Sequence, residues 1–264
     1  SAGVATATSL EALVQAMPAP RAVWLMVPAA AVEPLLEQVL PLLAPGDLVV
    51  DGGNSWYRDS LRHAQRCHQA QVAFIDCGTS GGVWGLEEGY CLMLGGEPGA
   101  MARLKPALQV LAPAADRGWA HVGPVGAGHF CKMVHNGIEY GMMQAYAEGF
   151  ALMQKKQAFA LDLAQVAEVW RHGSVVRSWL LDLATDALRD NPRLEGIAPY
   201  VQDSGEGRWT VSEAIELDVS APVITLSLLE RLRSREANSF ADRMLAKMRS
   251  GFGGHAVKAA NDGE

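Results

Sequence analysis

Long apolar runs are missing from this sequence. No stretch of about 18 uncharged hydrophobic residues occurs, so hydropathy excludes a membrane-spanning helix. Basic charge is scarce too: 22 Lys and Arg face 29 Asp and Glu, a formal net charge of −7. That balance excludes a general nucleic-acid or membrane-surface binder but leaves room for a local cationic pocket. Cysteine is limited to Cys67, Cys77, Cys91 and Cys131, with no C-x-x-C pair and no clustering with histidine at metal-ligand spacing. These read as reduced, mostly core thiols of a cytoplasmic protein that holds no metal. Ser1 to Ser9 lacks both the charged-then-apolar order of a signal peptide and an initiator Met, so the expectation is a natural start further upstream. What is plentiful is apolar material, 49% of 264 residues, together with 27 glycines. That is enough core for one large domain or two ordinary ones.

The first half alternates between two hydrophobic periods. Short apolar runs at 22–27, 48–50 and 72–75 end at Pro28, Asp51 and Asp76, and helical spacing fills roughly 30–43 and 57–70. This alternation predicts parallel strands covered by helices on both faces. Further strands are expected at 90–95 and 119–122, around a helix over 99–111 entered at Pro98 and Gly99. After the segment from Gly123 to Gly128 the pattern turns helical, with no convincing strand. Turn chemistry marks Asp190-Asn191-Pro192 and the segment from Ser204 to Gly207. The expected division is therefore an α/β domain over 1–125 and an all-α domain over 126–264.

The most informative segment runs from Gly128 to Tyr140. Lys132, His135, Asn136, Glu139 and Tyr140 stand at three- and four-residue spacing, which puts all five on one helix face. The other faces carry Phe130, Cys131, Met133, Val134, Ile138 and Met142, and Gly137 and Gly141 permit close approach. A helix apolar on most sides is expected to be surrounded by protein, so its polar stripe lines a cavity rather than bulk water. A lysine desolvated beside His135 suits a general base, and a carboxyl two turns on, kept protonated by desolvation, suits an acid. Two loops fall at strand ends, where open parallel sheets bind ligands: Asp51-Gly52-Gly53-Asn54-Ser55 and Cys77-Gly78-Thr79-Ser80-Gly81-Gly82. Taken alone the first is a weak motif that a simple helix cap by Asn54 or Ser55 also explains, and the second suits either a flexible glycine loop or a main-chain anion cradle. Arg249 and His255 flank a glycine-rich turn, either as helix-dipole partners or as an anion clamp.

Taken together, the strand end Leu25-Met26-Val27-Pro28-Ala29, the loops Asp51–Asn54 and Thr79–Gly82, the helix Gly128–Tyr140 and the tail Phe252-Gly253-Gly254-His255 resemble the decarboxylating 6-phosphogluconate dehydrogenases of the β-hydroxyacid dehydrogenase superfamily. The brevity of the helical half resembles the short-chain, often NAD-preferring branch. The resemblance implies a Rossmann-like N-terminal domain and an all-α C-terminal dehydrogenase domain. It also implies oxidative decarboxylation of 6-phosphogluconate to ribulose 5-phosphate with NAD, alternatively NADP, and without a metal. On that resemblance Lys132 would take the proton of the substrate 3-hydroxyl, and Glu139 would protonate the enediol left after carbon dioxide departs. Asn54, Ser80, Gly81, Gly82, His135 and Asn136 would hold the sugar acid, Tyr140 and Arg231 (or Arg233) its phosphate, and Val27, Pro28, Ala29 and Asn54 the cofactor. Arg249 and His255 would reach the substrate of a neighbouring subunit in a homodimer or homotetramer.

Three departures accompany the resemblance. The G-x-G-x-x-G dinucleotide fingerprint is absent, as though the chain begins after the first βαβ unit. Ser204 and Glu206 stand where longer members carry Lys and Thr at the substrate phosphate. The helical half is also much shorter than theirs. Two other readings stay open: a non-decarboxylating β-hydroxyacid dehydrogenase acting on a small acid such as 3-hydroxyisobutyrate, and a catalytically silent binding protein.

Overall fold

A computed structural model describes residues 4–253 and 256–258. In chain order it contains α1 (Leu10–Ala16), β1 (Ala22–Leu25), α2 (Ala29–Val39), β2 (Leu48–Asp51), α3 (Tyr57–Gln69), β3 (Ala73–Ser80), α4 (Gly85–Glu88), β4 (Cys91–Gly96), α5 (Pro98–Leu111) and β5 (Trp119–Gly123). Six helices follow: α6 (Ala127–Lys155), α7 (Leu163–Arg171), α8 (Trp179–Asp190), α9 (Glu206–Glu216), α10 (Pro222–Arg233) and α11 (Phe240–Gly253). The chain packs as two compact units, one of residues 1–141 with 205–224, the other of 142–204 with 225–264.

The first unit is built on a five-stranded sheet in the order β1-β2-β3-β4-β5. All four residues of β2 are buried because helices cover both sheet faces. Alternate β2 residues enter two different cores. Val49 joins Val14, Val32, Leu36, Val39 and Cys67 from α1, α2 and α3, whereas Leu48 and Val50 join Ala100, Met101, Leu104 and Leu108 from α5. Each such aliphatic side chain contributes about 1.5–3 kcal/mol by leaving water.

The expected all-parallel sheet needs one correction. β1, β2 and β3 are parallel, as are β4 and β5, but β3 and β4 pair antiparallel. Residues 81–90 are too few for a right-handed crossover, which takes a dozen residues or more, so the chain returns as a long hairpin. Helix α1 was not among the elements expected from sequence, although Ser9 caps it by accepting a hydrogen bond from the Ala12 N–H. The turn expected over 204–207 is also shorter than read, since Glu206 and Gly207 already form the first turn of α9.

The second unit is all-helical over its described residues. α7 and α8 pack through Ala167, Leu181 and Leu188 with Tyr146, Phe150 and Trp170 around them. Asp162 and Ser178 cap the two helices by accepting from the N–H groups of Gln165 and Leu181. An apolar cavity of about 450 Å³ lies here, walled by Tyr146, Phe150, Leu180, Leu188 and Leu194 among others. Two of the four cysteines, Cys67 and Cys77, are buried core thiols pushed up to about 12 by desolvation; Cys131 is half-buried and Cys91 exposed, so the core reading holds for only part of the set.

The contact that sets the start of α6 is made by Asp76 at the middle of β3. Its carboxylate is fully buried and accepts from the N–H groups of Gly126 (2.6 Å) and His129 (2.8 Å). Replacing Asp76 with Ala leaves both donors buried without an acceptor. We predict a loss of about 2–4 kcal/mol in urea unfolding, with Asp76→Asn losing less because it keeps one acceptor oxygen. A stability unchanged by Asp76→Ala would remove this contact from its anchoring role.

Candidate active site

Seated on Asp76, α6 runs directly against the carboxyl end of β3. Gly78 has no side chain because none fits: a Cβ there would lie 2.5 Å from the Cβ of Lys132 and 2.7 Å from the Gly128 carbonyl oxygen. Lys132 is thereby held on the buried side of the helix, only 8% exposed. Its ammonium donates to Asn136 Oδ1 at 2.8 Å and stands 3.4 Å from His135 Nδ1. His135 Nδ1 is also 3.0 Å from Asn136 Oδ1 and 3.9 Å from a Glu139 carboxylate oxygen. Burial pulls the Lys132 ammonium below the ordinary lysine value, while the charges of Glu139, Cys91 and Glu206 act the other way.

The five residues of the polar stripe therefore lie together, but unequally. Lys132, Asn136 and Tyr140 are buried, whereas His135 and Glu139 are about two-fifths exposed. The apolar sides of α6 are not uniformly covered either: Met133 is buried, but Ile138 is 52% and Met142 39% exposed. The close approach expected from the helix glycines is present. A Cβ on Gly137 would fall 2.7 Å from Thr210 Cγ2, and one on Gly207 would fall 2.5 Å from the Tyr140 ring. Those two notches let α9 lie against α6. Thr210 Oγ1 then serves two carbonyls at 2.9 Å, that of Met133 on α6 and that of Glu206 on its own helix.

The strand-end loops carry the rest of the first unit's predicted residues. Asn54 is exposed on the loop after β2, and its Nδ2 donates to the Glu206 carboxylate, which is only 2% exposed. Ser80 ends β3. Gly81 and Gly82 follow with φ of +133° and +52°, a turn that favours residues without a Cβ. Val27, Pro28 and Ala29 lie at the end of β1, where Pro28 precedes α2 and makes no side-chain cap. Pro28 and Ala29 are exposed. Beneath the Asn54 loop, three buried polar atoms, Trp24 Nε1, Asp51 Oδ2 and Ser55 Oγ, lack a protein partner among the described residues.

Arg231 and Arg249 belong to the second unit. Arg231 donates to the Gln202 carbonyl at 3.0 Å. Arg233, the alternative phosphate ligand, is paired with Asp242 at 2.7 Å. Arg249 is exposed on α11, and His255 lies outside the described residues. Sequence reasoning missed Glu206 as a functional group, since it registered only as a departure near the turn. Its nearness to Asn54, 152 residues away, has no local signal. It also missed Asp76, whose only trace was a strand-ending acid.

Two family domains cover the chain almost end to end. "NAD binding domain of 6-phosphogluconate dehydrogenase" matches residues 1–123, and "6-phosphogluconate dehydrogenase, C-terminal domain" matches 128–261. The NAD(+)-dependent decarboxylating 6-phosphogluconate dehydrogenase of Haloferax volcanii is 43% identical over 263 residues, covering 99% of this chain and 86% of that protein. Among solved structures, 6-phosphogluconate dehydrogenase of Plasmodium falciparum superposes with a TM-score of 0.79 at 29% identity, over 96% of this chain and 56% of that one. A 3-hydroxyisobutyrate dehydrogenase of Salmonella typhimurium shares the fold at 22% identity, with a TM-score of 0.68 over 82% of this chain and 74% of that one. A buried lysine on a helix seated against a mixed Rossmann-like sheet is thus joined to two matched domains and a close likeness over nearly the whole of this chain: it belongs to the 6-phosphogluconate dehydrogenase family.

Proposed function

We propose that this protein oxidises and decarboxylates 6-phosphogluconate to ribulose 5-phosphate and carbon dioxide, with NAD, alternatively NADP, as hydride acceptor. The carrying observation is the buried Lys132, whose ammonium is drawn down by desolvation while Asn136 fixes its direction. Neutral Lys132 takes the proton of the 3-hydroxyl as the C3 hydride leaves. It returns that proton to the C3 oxygen as the bond to the carboxylate breaks, giving the enediol. Glu139 then delivers a proton to C2 of the sugar acid, which becomes C1 of the pentulose, while Lys132 withdraws the proton from the C3 oxygen again. Asn54, Ser80, Gly81, Gly82, His135 and Asn136 hold the hydroxyls and carboxylate. Tyr140, Arg231, Arg249 and His255 serve the phosphate end. The acid role of Glu139 draws less support from burial than the base role of Lys132, because Glu139 is half-exposed.

The cofactor reading is supported by the end of β1. The exposed, side-chain-uncapped start of α2, the half-buried Val27 before it and the unpartnered donors Trp24 Nε1 and Ser55 Oγ by the Asn54 loop suit a polar group with acceptor atoms. Bound there, a nicotinamide supplies a hydride acceptor. The matched ranges support a division at 125/126 into cofactor and helical domains. A homodimer or homotetramer in the cytoplasm completes the reading, supported by exposed apolar side chains of the helical unit such as Leu152, Val169, Val175 and Leu226. No helix among the described residues is long and apolar enough to cross a membrane.

The reaction is tested by adding 6-phosphogluconate and NAD and following both products. Equal yields of NADH and carbon dioxide are expected; NADH without the gas would leave the non-decarboxylating reading in its place. Lys132→Ala is expected to lower kcat by about 100- to 10,000-fold with substrate affinity largely kept, and near-normal turnover would reject Lys132 as the base.

The pH profile follows from the direction of the Lys132 shift. The base works only when deprotonated, so kcat/KM is expected to be lost as pH falls through an acid limb. That limb should lie well below the ordinary lysine value of about 10.4. A limb at the ordinary value would contradict a desolvated base. Arg249→Ala is expected to raise KM about tenfold, the size of one charge-assisted hydrogen bond, with the unfolding midpoint unchanged. An unaltered KM would count against its reaching the substrate.

A further inference from the structure

Glu206 is an unusual residue to find 2% exposed, because a buried carboxylate is costly unless its oxygens are used. Its backbone is closely surrounded. Gly205, with φ of +110°, turns the chain into α9, and Gly207 sits against the Tyr140 ring. Thr210 ties the Glu206 carbonyl to that of Met133, the residue next to Lys132. The carboxylate so placed receives the Asn54 amide.

A carboxylate oxygen can only accept, so the edge of the Asn54 amide that faces it is Nδ2. The same contact turns Asn54 Oδ1 away from α9, as an acceptor for a hydroxyl or amide brought to the loop. Asn54 is exposed on a glycine-flanked loop, and without such a partner its amide would rotate freely. Glu206 is also among the charges acting on Lys132, together with Glu139 and Cys91. It therefore lies within electrostatic reach of one group assigned to the substrate and in direct contact with another.

We propose that Glu206 is a positioning residue that locks the Asn54 amide with its oxygen presented to the substrate or cofactor. This inference rests on the dehydrogenase reading above. It assigns a task to a residue that stands where longer members were expected to carry a phosphate-binding threonine. In this chain, the position orients an amide instead.

The test is a double-mutant cycle in kcat/KM, with unfolding midpoints measured alongside. Asn54→Ala and Glu206→Ala are each expected to lower kcat/KM by roughly 10- to 100-fold, and the double variant by little more than either, because one acts through the other. Glu206→Gln keeps an acceptor oxygen and is expected to recover most of the loss. A side-chain amide NMR signal provides a readout that needs no substrate. The Asn54 Nδ2 protons, assigned by their disappearance in Asn54→Ala, should be shifted and slow to exchange in the wild type. They should lose both properties in Glu206→Ala and keep them in Glu206→Gln. Losses that multiply in the double variant, or an amide signal indifferent to Glu206→Ala, would overturn the proposal. A wild type that produces no NADH would sink the proposed reaction instead, and the amide signal would still decide the pairing.

Discussion

The hydrogen bonds from the start of α6 to Asp76 fix everything chemical in the first unit. A carboxylate buried at the centre of a sheet is unfavourable by itself, and burial pushes its pKa up against the pull of His129 and the two N–H donors. The partial positive charge of a helix start, with donors aimed at the acid, offsets that cost. Once Asp76 holds Gly126 and His129, the helix has one azimuth only. Lys132 must then point along the end of β3, and Gly78 must remain a glycine to let it pass. The same azimuth presents Gly137 and Tyr140 to α9, which brings Glu206 beneath the Asn54 loop. Thus one buried anion determines where the proposed base and its neighbours stand.

Much of this was legible in local pattern. Short continuous apolar runs gave β1, β2 and β3, and the three-and-four spacing of Lys132 to Tyr140 gave a helix with those residues on one face. The inference from that face to a buried site reached Lys132, Asn136 and Tyr140 by an imperfect route. It assumed that an apolar surround meant coverage on every side, yet Ile138 and Met142 are exposed. Burial of Lys132 comes instead from glycine notches and from the strand end beside it. Composition could not reveal the antiparallel turn of β4, because strand direction depends on how many residues are available to cross the sheet. Nor could spacing reveal Asn54 against Glu206, a contact made only after two distant elements dock on α6.

The charge arithmetic also reads differently at residue level. The net −7 is not reversed in the immediate company of Lys132: Glu139 and Glu206 both act on it, and His135 adds a cation only when protonated. Such a setting suits proton transfer, because a lysine that is desolvated yet flanked by carboxylates can hold or release a proton without large reorganisation. It suits a phosphate poorly, since the Glu206 carboxylate repels a dianion in a place of low dielectric. On the proposed reading, the sugar acid must therefore be bound by division of labour. Within the first unit, hydroxyls and the carbon to be oxidised fall to Lys132, Asn136 and Asn54. On that reading, the contact of Glu206 with Asn54 fixes an amide where orientation governs the rate.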